Sequence, residues 1–336
     1  MNAVSDGPQE RRKWWGFSLA IRMTLLDERS LALFLLAASI LLGLAFPPLA
    51  ASLSPVALTG LFLVVIFSLA PFATLPLREI VSLNTSVARI LLWQQLALPA
   101  IVVALGVLCK LPSYVISLLI VATCSGSLFA APALAVLLNL NRRDSLQCMV
   151  LSTLVMPISL FLFLTLVLAS EVQMDLRVYG IRILIFLGLP ISLFLGYRPI
   201  AARLGARLRN SIDLWARWGV VIALSVFGIG MMAPVAHQLA KDPGQVLFFL
   251  GLTTIVCVFM LSITTVVMYK HGLRSAMTGA ILSGFRNVGL GYALIGDMLG
   301  PELAVYTGVG LLPVFLLPAI LKLIAAWRGR GREAFA

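Results

Sequence analysis

Arg286 stands in the run LSGFRNVGLGYAL, residues 282–294, between glycines and apolar residues. A guanidinium there is a fixed positive charge, suited to holding an anionic substrate. With Gly284 before it and Asn287 after it, it forms the polar interruption SGFRN, residues 283–287. A helix restarting after such a break aims backbone N–H donors and a positive partial charge at the same place, which also favours an anion. The other reading of Arg286 is structural: backbone carbonyls exposed at the breaks would satisfy it without any ligand. A second interruption, ATCSGSLFAAP at 122–132, carries Thr123, Ser125 and Ser127. Glycine and serine at either break would also serve close helix packing. Further polar residues are Gln94 and Gln95 before Pro99, and Ser152 and Thr153 before Pro157. Single hydroxyls in membrane helices mostly bond back to their own turn. A lipid-facing primary amide is costly, so at least one of Gln94 and Gln95 is expected to face the protein interior.

These residues need elements to position them, and composition says which kind. Of 336 residues, 61% are hydrophobic and 11% charged, a balance that a soluble domain of this size could not carry on its surface. Spanning hydrocarbon takes about 20 apolar residues as a helix. That rule predicts ten spans, near 31–51, 56–75, 88–108, 113–138, 146–169, 178–197, 212–233, 246–268, 274–298 and 303–326. The distribution of basic residues over alternate connections tests the number. Twenty lysines and arginines fall on one side, four (Lys110, Arg177, Arg182, Lys241) on the other, and Arg286 on neither. Basic residues concentrate on cytoplasmic flanks, so ten helices with both termini cytoplasmic are expected. This topology also accounts for the net charge of +12, whereas a nucleic-acid partner is excluded by the lack of a basic patch interleaved with aromatics.

The most basic connection, YRPIAARLGARLRNSIDLWARW, joins the sixth and seventh predicted segments. Two five-helix repeats, residues 31–170 and 171–326, are expected, flanked by tails at 1–30 and 327–336. An odd number of helices forces the repeats into opposite orientations. The fourth segment of each half carries one of the two interruptions. Paired breaks of this kind favour discontinuous helices around a midplane site.

Other chemistry is poorly provided for. Every Asp and Glu lies in a connection, a tail or near a segment end, and His237 and His271 lie in connections. No carboxylate pair or histidine ladder reaches membrane depth, so an enzyme, a haem or quinone protein and an ordinary proton relay are not expected. Cys109, Cys124, Cys148 and Cys257 lack the paired spacing of a metal site or disulfide framework. No resident cofactor or metal is expected. The N-terminal stretch precedes a first apolar run long enough to span, and is expected to stay attached.

SGFRNVGLGYAL resembles the ninth-helix motif of the bile acid:sodium symporter family, approximately E-x-G-x-Q-N-x-G-L-A, at Gly284, Asn287, Gly289 and Leu290. ATCSGSLFAAPAL resembles the fourth-helix motif, approximately C-P-G-G-x-x-S-N, at Cys124 and Gly126. WQQLALPA resembles the family pattern of a glutamine five residues before a proline, at Gln94 and Pro99, and VLSTLVMP matches at Ser152, Thr153, Leu154 and Pro157. The resemblance runs in register from the second to the tenth segment. It implies an all-α membrane fold of ten helices in two inverted repeats, with the fourth and ninth unwound where they cross. It further implies a core of helices three, four, five, eight, nine and ten, and a panel of one, two, six and seven. The implied activity is transport of organic anions coupled to two sodium ions by alternating access.

The departures are as informative as the matches. The family glutamate that helps hold both ions aligns with Leu282, and the glutamine of the second ion site aligns with Arg286. The helix-four Ser-Asn pair aligns with Ala130 and Ala131, and a helix-five threonine with Met149. Gln94, Ser145, Ser152 and Thr153 are left as residual oxygen ligands. Sodium prefers several oxygens with negative charge nearby. An arginine within a few ångströms would repel it, so the second sodium site is expected to be absent and the first crippled.

The expected function is secondary transport of small organic anions, with Arg286, Asn287, Gly284, Ser125, Ser127 and Thr123 as the substrate-binding set. Alternatives are arsenite or metalloid efflux, where distant relatives place a cysteine near the position of Cys124, and a sensor of the same fold that has lost transport. The expected setting is an inner (cytoplasmic) membrane or a plasma membrane. The lipid bilayer and an anionic small molecule are the expected partners, and a homodimer stays open.

Overall fold

The computed structural model describes residues 28–333 apart from 130, 133, 134, 136, 137, 139 and 169–173; for 28–33, 297 and 318–333 it describes the backbone alone. Helix dominates. Among the described residues no strand forms beyond one isolated bridge. The helices are α1 Glu28–Ala45, α2 Pro47–Phe72, α3 Thr85–Leu108, α4 Ser113–Cys124, α5 Arg142–Leu168, α6 Leu176–Arg203, α7 Ala206–Lys241, α8 Pro243–His271, α9 Leu273–Gly284, α10 Val288–Ile295 and α11 Pro301–Glu333. Among the described residues six of them, α2, α3, α5, α6, α7 and α8, are long and apolar enough to cross a membrane. Shorter apolar stretches occur at Phe34–Ala45, Ser113–Cys124 and Pro301–Leu317. Leucines and isoleucines stand out on the helix surfaces, Leu108, Ile158 and Leu166 among them, as expected of a chain solvated by lipid. The protein is an all-α membrane protein.

Several predicted boundaries move, each for a local reason. The first segment, 31–51, is not one helix: Pro47 forces Phe46 to φ −123°, ψ 74°, which ends α1 and lets proline open α2 at a position needing no N–H. The connection 198–217 is not a loop, because α6 and α7 run through it and leave Leu204 and Gly205 as the turn. Its arginines therefore decorate helix ends. The ninth segment is broken between Gly284 and Val288, and the fourth is continuous only to Cys124, with most of 130–139 outside the described residues. At the two ends of the chain α1 begins at Glu28 and α11 reaches Glu333. The boundary at 170/171 and residues 1–27 and 334–336 lie outside the described residues.

Three of the acidic and amide side chains at segment ends are caps. Asn84 accepts from Val87 N–H at 2.8 Å to start α3, Asp175 from Arg177 and Val178 N–H to start α6, and Asp242 from Gln245 N–H to start α8. Each satisfies an orphan donor of a first turn. Gly272 and Gly300, at φ 94° and 84°, supply the left-handed turns before α9 and α11.

Packing divides the helices. α7 lies along α1 and α2, while α8 packs on α9 and α11, and α4 packs on α3 and α5. The α7 seam is tight because small residues let backbones meet: a Cβ on Gly60 would sit 2.7 Å from Ala223 O, and one on Gly230 2.9 Å from Leu53 O. α7 also contacts α8 and α11, joining the two groups.

Candidate functional site

The segments leaving α4 and α9 run antiparallel past each other. Leu128 N–H donates to Phe285 O at 2.9 Å and Asn287 N–H to Gly126 O at 2.8 Å, a reciprocal pair centred on Ser127 and Arg286. Both helices therefore end where their last carbonyls lack intrahelical donors, and each such carbonyl needs a partner in a region without bulk water. At the end of α9, Leu282 O accepts from Ser127 Oγ at 3.0 Å, Ser283 O from Arg286 Nε at 2.9 Å, and Gly284 O from Cys257 Sγ at 3.1 Å. At the end of α4, Ser125 O accepts from Arg286 Nη1 at 2.9 Å, and Cys124 O lies 3.4 Å from Ser159 Oγ.

The third carbonyl on Arg286 comes from a specific defect in α3. Its residues Trp93–Ala97 form a π turn, in which Leu98 N–H bonds back to Trp93 O. The next bond in that register would run from residue 99 to Gln94 O, but Pro99 has no N–H. Gln94 O is thus left over, and it accepts from Arg286 Nη2 at 2.7 Å. The guanidinium, 2% exposed, joins two helix C-termini and this orphan carbonyl, all carrying negative partial charge. Among the described residues no carboxylate pairs with it.

The remaining predicted residues fall into three groups. Gln94, Ser127, Ser152, Thr153 and Asn287 gather around the crossing. Ser127 Oγ reaches Gln94 Oε1 at 3.3 Å, and Ser127 N–H donates to Ser152 Oγ at 3.0 Å. Thr153 donates to Met149 O and lies so close to Gly126 that a Cβ there would meet Thr153 Oγ1 at 2.9 Å. Asn287 Oδ1 caps α10 by accepting from Leu290 N–H at 3.2 Å. The second group, Thr123 and Ser125, turns its hydroxyls back to Leu119 O and Val121 O, as expected of single hydroxyls. Gly284 joins them as a packing position, facing the Leu261 side chain of α8. Ser145 forms the third group alone, roughly 10 Å along α5 from Ser152 at about 1.5 Å per residue.

Both Gln94 and Gln95 are buried, at 0% and 1% exposure. Gln95 Oε1 accepts from Ser159 Oγ at 2.7 Å. Sequence reading overlooked Ser159, two residues after Pro157, and gave Ser283 no role of its own within SGFRN. It also overlooked the π turn, for which the sequence offered Pro99 and nothing else. Three buried polar atoms at the crossing have no partner among the described residues: Gln94 Nε2 on α3, Ser283 Oγ on α9 and Asn287 Nδ2 at the start of α10. Two are donors adjoining the arginine. Among the described residues the site thus combines a buried cation, two unused amide donors and no carboxylate, a set that suits an anion.

No family model matches the chain, and no curated protein matches it either.

Proposed function

We propose that this chain is a secondary carrier of small organic anions, working by alternating access in a fold like that of the bile acid:sodium symporters. One observation carries the reading: a fully buried guanidinium at the crossing of two broken helices, uncompensated by any carboxylate among the described residues. Intramembrane charge of this kind usually marks a substrate or ion pathway. An anion about 6 Å from it, at an effective dielectric of about 20, gains about 3 kcal/mol. Asn287 Nδ2 and Gln94 Nε2 are the free donors that would touch it.

The proposed architecture is ten spans in two inverted repeats, with α9 and α10 as the halves of one span and α11 as the last. Helix starts support it. Pro47 and Ala206 lie 159 residues apart, Thr85 and Pro243 158, Ser113 and Leu273 160, and Arg142 and Pro301 159. The paired residues Ser127 and Arg286 share the same spacing of 159. Five helices per repeat would invert the second half relative to the first. The excess of basic residues on alternate connections supports both termini on the cytoplasmic side.

In this reading Arg286 takes the place that the resemblance gives to a sodium ion. Helix-end carbonyls are the ligands a hard cation would use. Here Ser125 O, Ser283 O and Gln94 O are held by the guanidinium, and Leu282 and Met149 bring no oxygen. These residues do not fit a second-site sodium ion, so coupling to sodium is not proposed. Cys124 packs in the apolar core, and nothing at the crossing favours a metalloid cargo over a carboxylate.

Uptake of labelled small carboxylates by proteoliposomes, with sodium or choline as the cation, tests the proposal. The expected result is saturable uptake of equal rate in both, with KM raised severalfold by Asn287→Ala. Uptake at least tenfold faster in sodium, or no uptake of any anion, would overturn it.

A further inference from the structure

A second arginine-lined feature lies away from the crossing. A groove of about 630 Å³ opens between the end of α2, the last turns of α6 and the first turns of α7, lined by Thr74, Leu77, Leu195, Arg198 and Arg209 among others. Arg198 is held in it from two sides. Its Nη2 donates to Leu75 O at 2.8 Å, and its guanidinium sits 5.8 Å from the centre of the Phe194 ring. Its Nη1 is buried and has no partner among the described residues. An unpaired charged donor out of reach of water is expensive, and so predicts a missing acceptor. Neither Arg198 nor Arg209 makes an ion pair with a carboxylate among the described residues.

The geometry points to this groove as a binding site for the phosphate of an anionic phospholipid headgroup. Two guanidinium groups from adjacent helices line the groove and match the charge of a phosphodiester. Thr74 adds a hydroxyl on the same wall. The source of the phosphate is indicated by what surrounds it. Leu77 and Leu195, which line the groove, are 43% and 46% exposed, and Ile200 and Leu208 beside it are 56% and 53% exposed. A free phosphate ion gains nothing from an aliphatic rim, whereas a lipid's glycerol and upper acyl chains would cover it. The groove also sits at the ends of helices of spanning length, with Arg78, Arg203 and Arg207 close to its lining residues in sequence, where headgroups lie and where basic pockets between helices collect acidic lipids. A lipid bound here would tie α2 to the α6–α7 turn.

Spin-labelled phosphatidylglycerol and phosphatidylcholine, compared in phosphatidylcholine vesicles containing the full chain, read the site directly. The motionally restricted fraction is expected to show a severalfold preference for phosphatidylglycerol. Arg198→Gln with Arg209→Gln should bring that ratio close to one, while Arg142→Gln with Arg143→Gln, on exposed residues elsewhere, should leave it nearly unchanged. Should the double variant misfold, Arg198→Lys, which keeps the charge and loses the fork, is expected to lower the preference by about half. Equal association of the two lipids with the unaltered chain would overturn the proposal, as would a ratio insensitive to Arg198 and Arg209. Displacement of the labelled lipid by millimolar inorganic phosphate would instead identify a site for the free ion. The readout needs no transport, so its outcome is separate from that of the uptake experiment.

Discussion

The two halves of the crossing face the same backbone problem and solve it differently. α4 and α9 are each twelve residues long, and each ends in carbonyls that the chain beyond it cannot satisfy. At the centre of the first crossing segment stands Ser127, a neutral hydroxyl whose one proton goes to Leu282 O at 3.0 Å. At the centre of the second stands Arg286, which serves three carbonyls from three different helices. Two helix C-termini meeting in a low dielectric concentrate negative partial charge, so one cation placed at either centre stabilises both ends. A second cation would meet the first at hydrogen-bonding range. The asymmetry of side chains thus follows from the symmetry of the backbone.

The largest expected effect comes from removing the charge. Arg286→Gln strands at least two buried carbonyls and should destabilise the detergent-solubilised chain by about 3 to 5 kcal/mol, read by denaturant unfolding. A loss below about 1 kcal/mol would show that the crossing does not depend on the guanidinium. Moving the charge, Ser127→Arg with Arg286→Ser, should recover part of the loss if the two centres are equivalent; a deeper loss would break the comparison. Next in size is Gly126→Ala. Its Cβ would lie 2.9 Å from Thr153 Oγ1 and 3.0 Å from Thr153 Cα, and the backbone atom cannot yield. A loss of about 1 to 3 kcal/mol in the same unfolding measurement is expected. The opposite segment tolerates a large side chain at the position before its centre, the fully buried Phe285, so here the halves differ in space as well as charge. The smallest effect is that of Ser127→Ala, which orphans Leu282 O while leaving the guanidinium in place. About 1 to 2 kcal/mol is expected, with hydrogen exchange at Leu128 and Asn287 rising as the pairing loosens.

Much of the fold was legible in the sequence. Apolar run length and basic flanks reflect the solvent the helices meet, and that solvent acts on each residue locally. The two breaks were legible too, because Gly and Ser interrupt runs otherwise rich in leucine and valine. Boundaries were less so. Arg198, Arg207 and Arg209 look like a loop, since polarity marks where the bilayer ends and not where a helix ends. Within the candidate site, Arg286, Asn287, Gln94 and Ser127 were identifiable as polar residues in apolar surroundings. What each of them bonds to was not. Thr123 and Ser125 carry the same hydroxyl chemistry as Ser127, yet turn back on their own helix.

Arg286 therefore separates two kinds of information. Composition and spacing alone determined that the chain is a helical membrane protein, that a positive charge lies deep within it and that this charge sits at a helix break. Hydrophobic burial and backbone hydrogen bonding impose these features residue by residue along the chain. Only the tertiary structure decided that the charge is shared among Ser283, Ser125 and Gln94, and that the amide nitrogens of Asn287 and Gln94 find no acceptor among the described residues. Those partners lie up to 192 residues away in sequence, and one of them is available only because Pro99 cannot donate to a π turn. Such coincidences of unpaired groups exist only once the helices are packed.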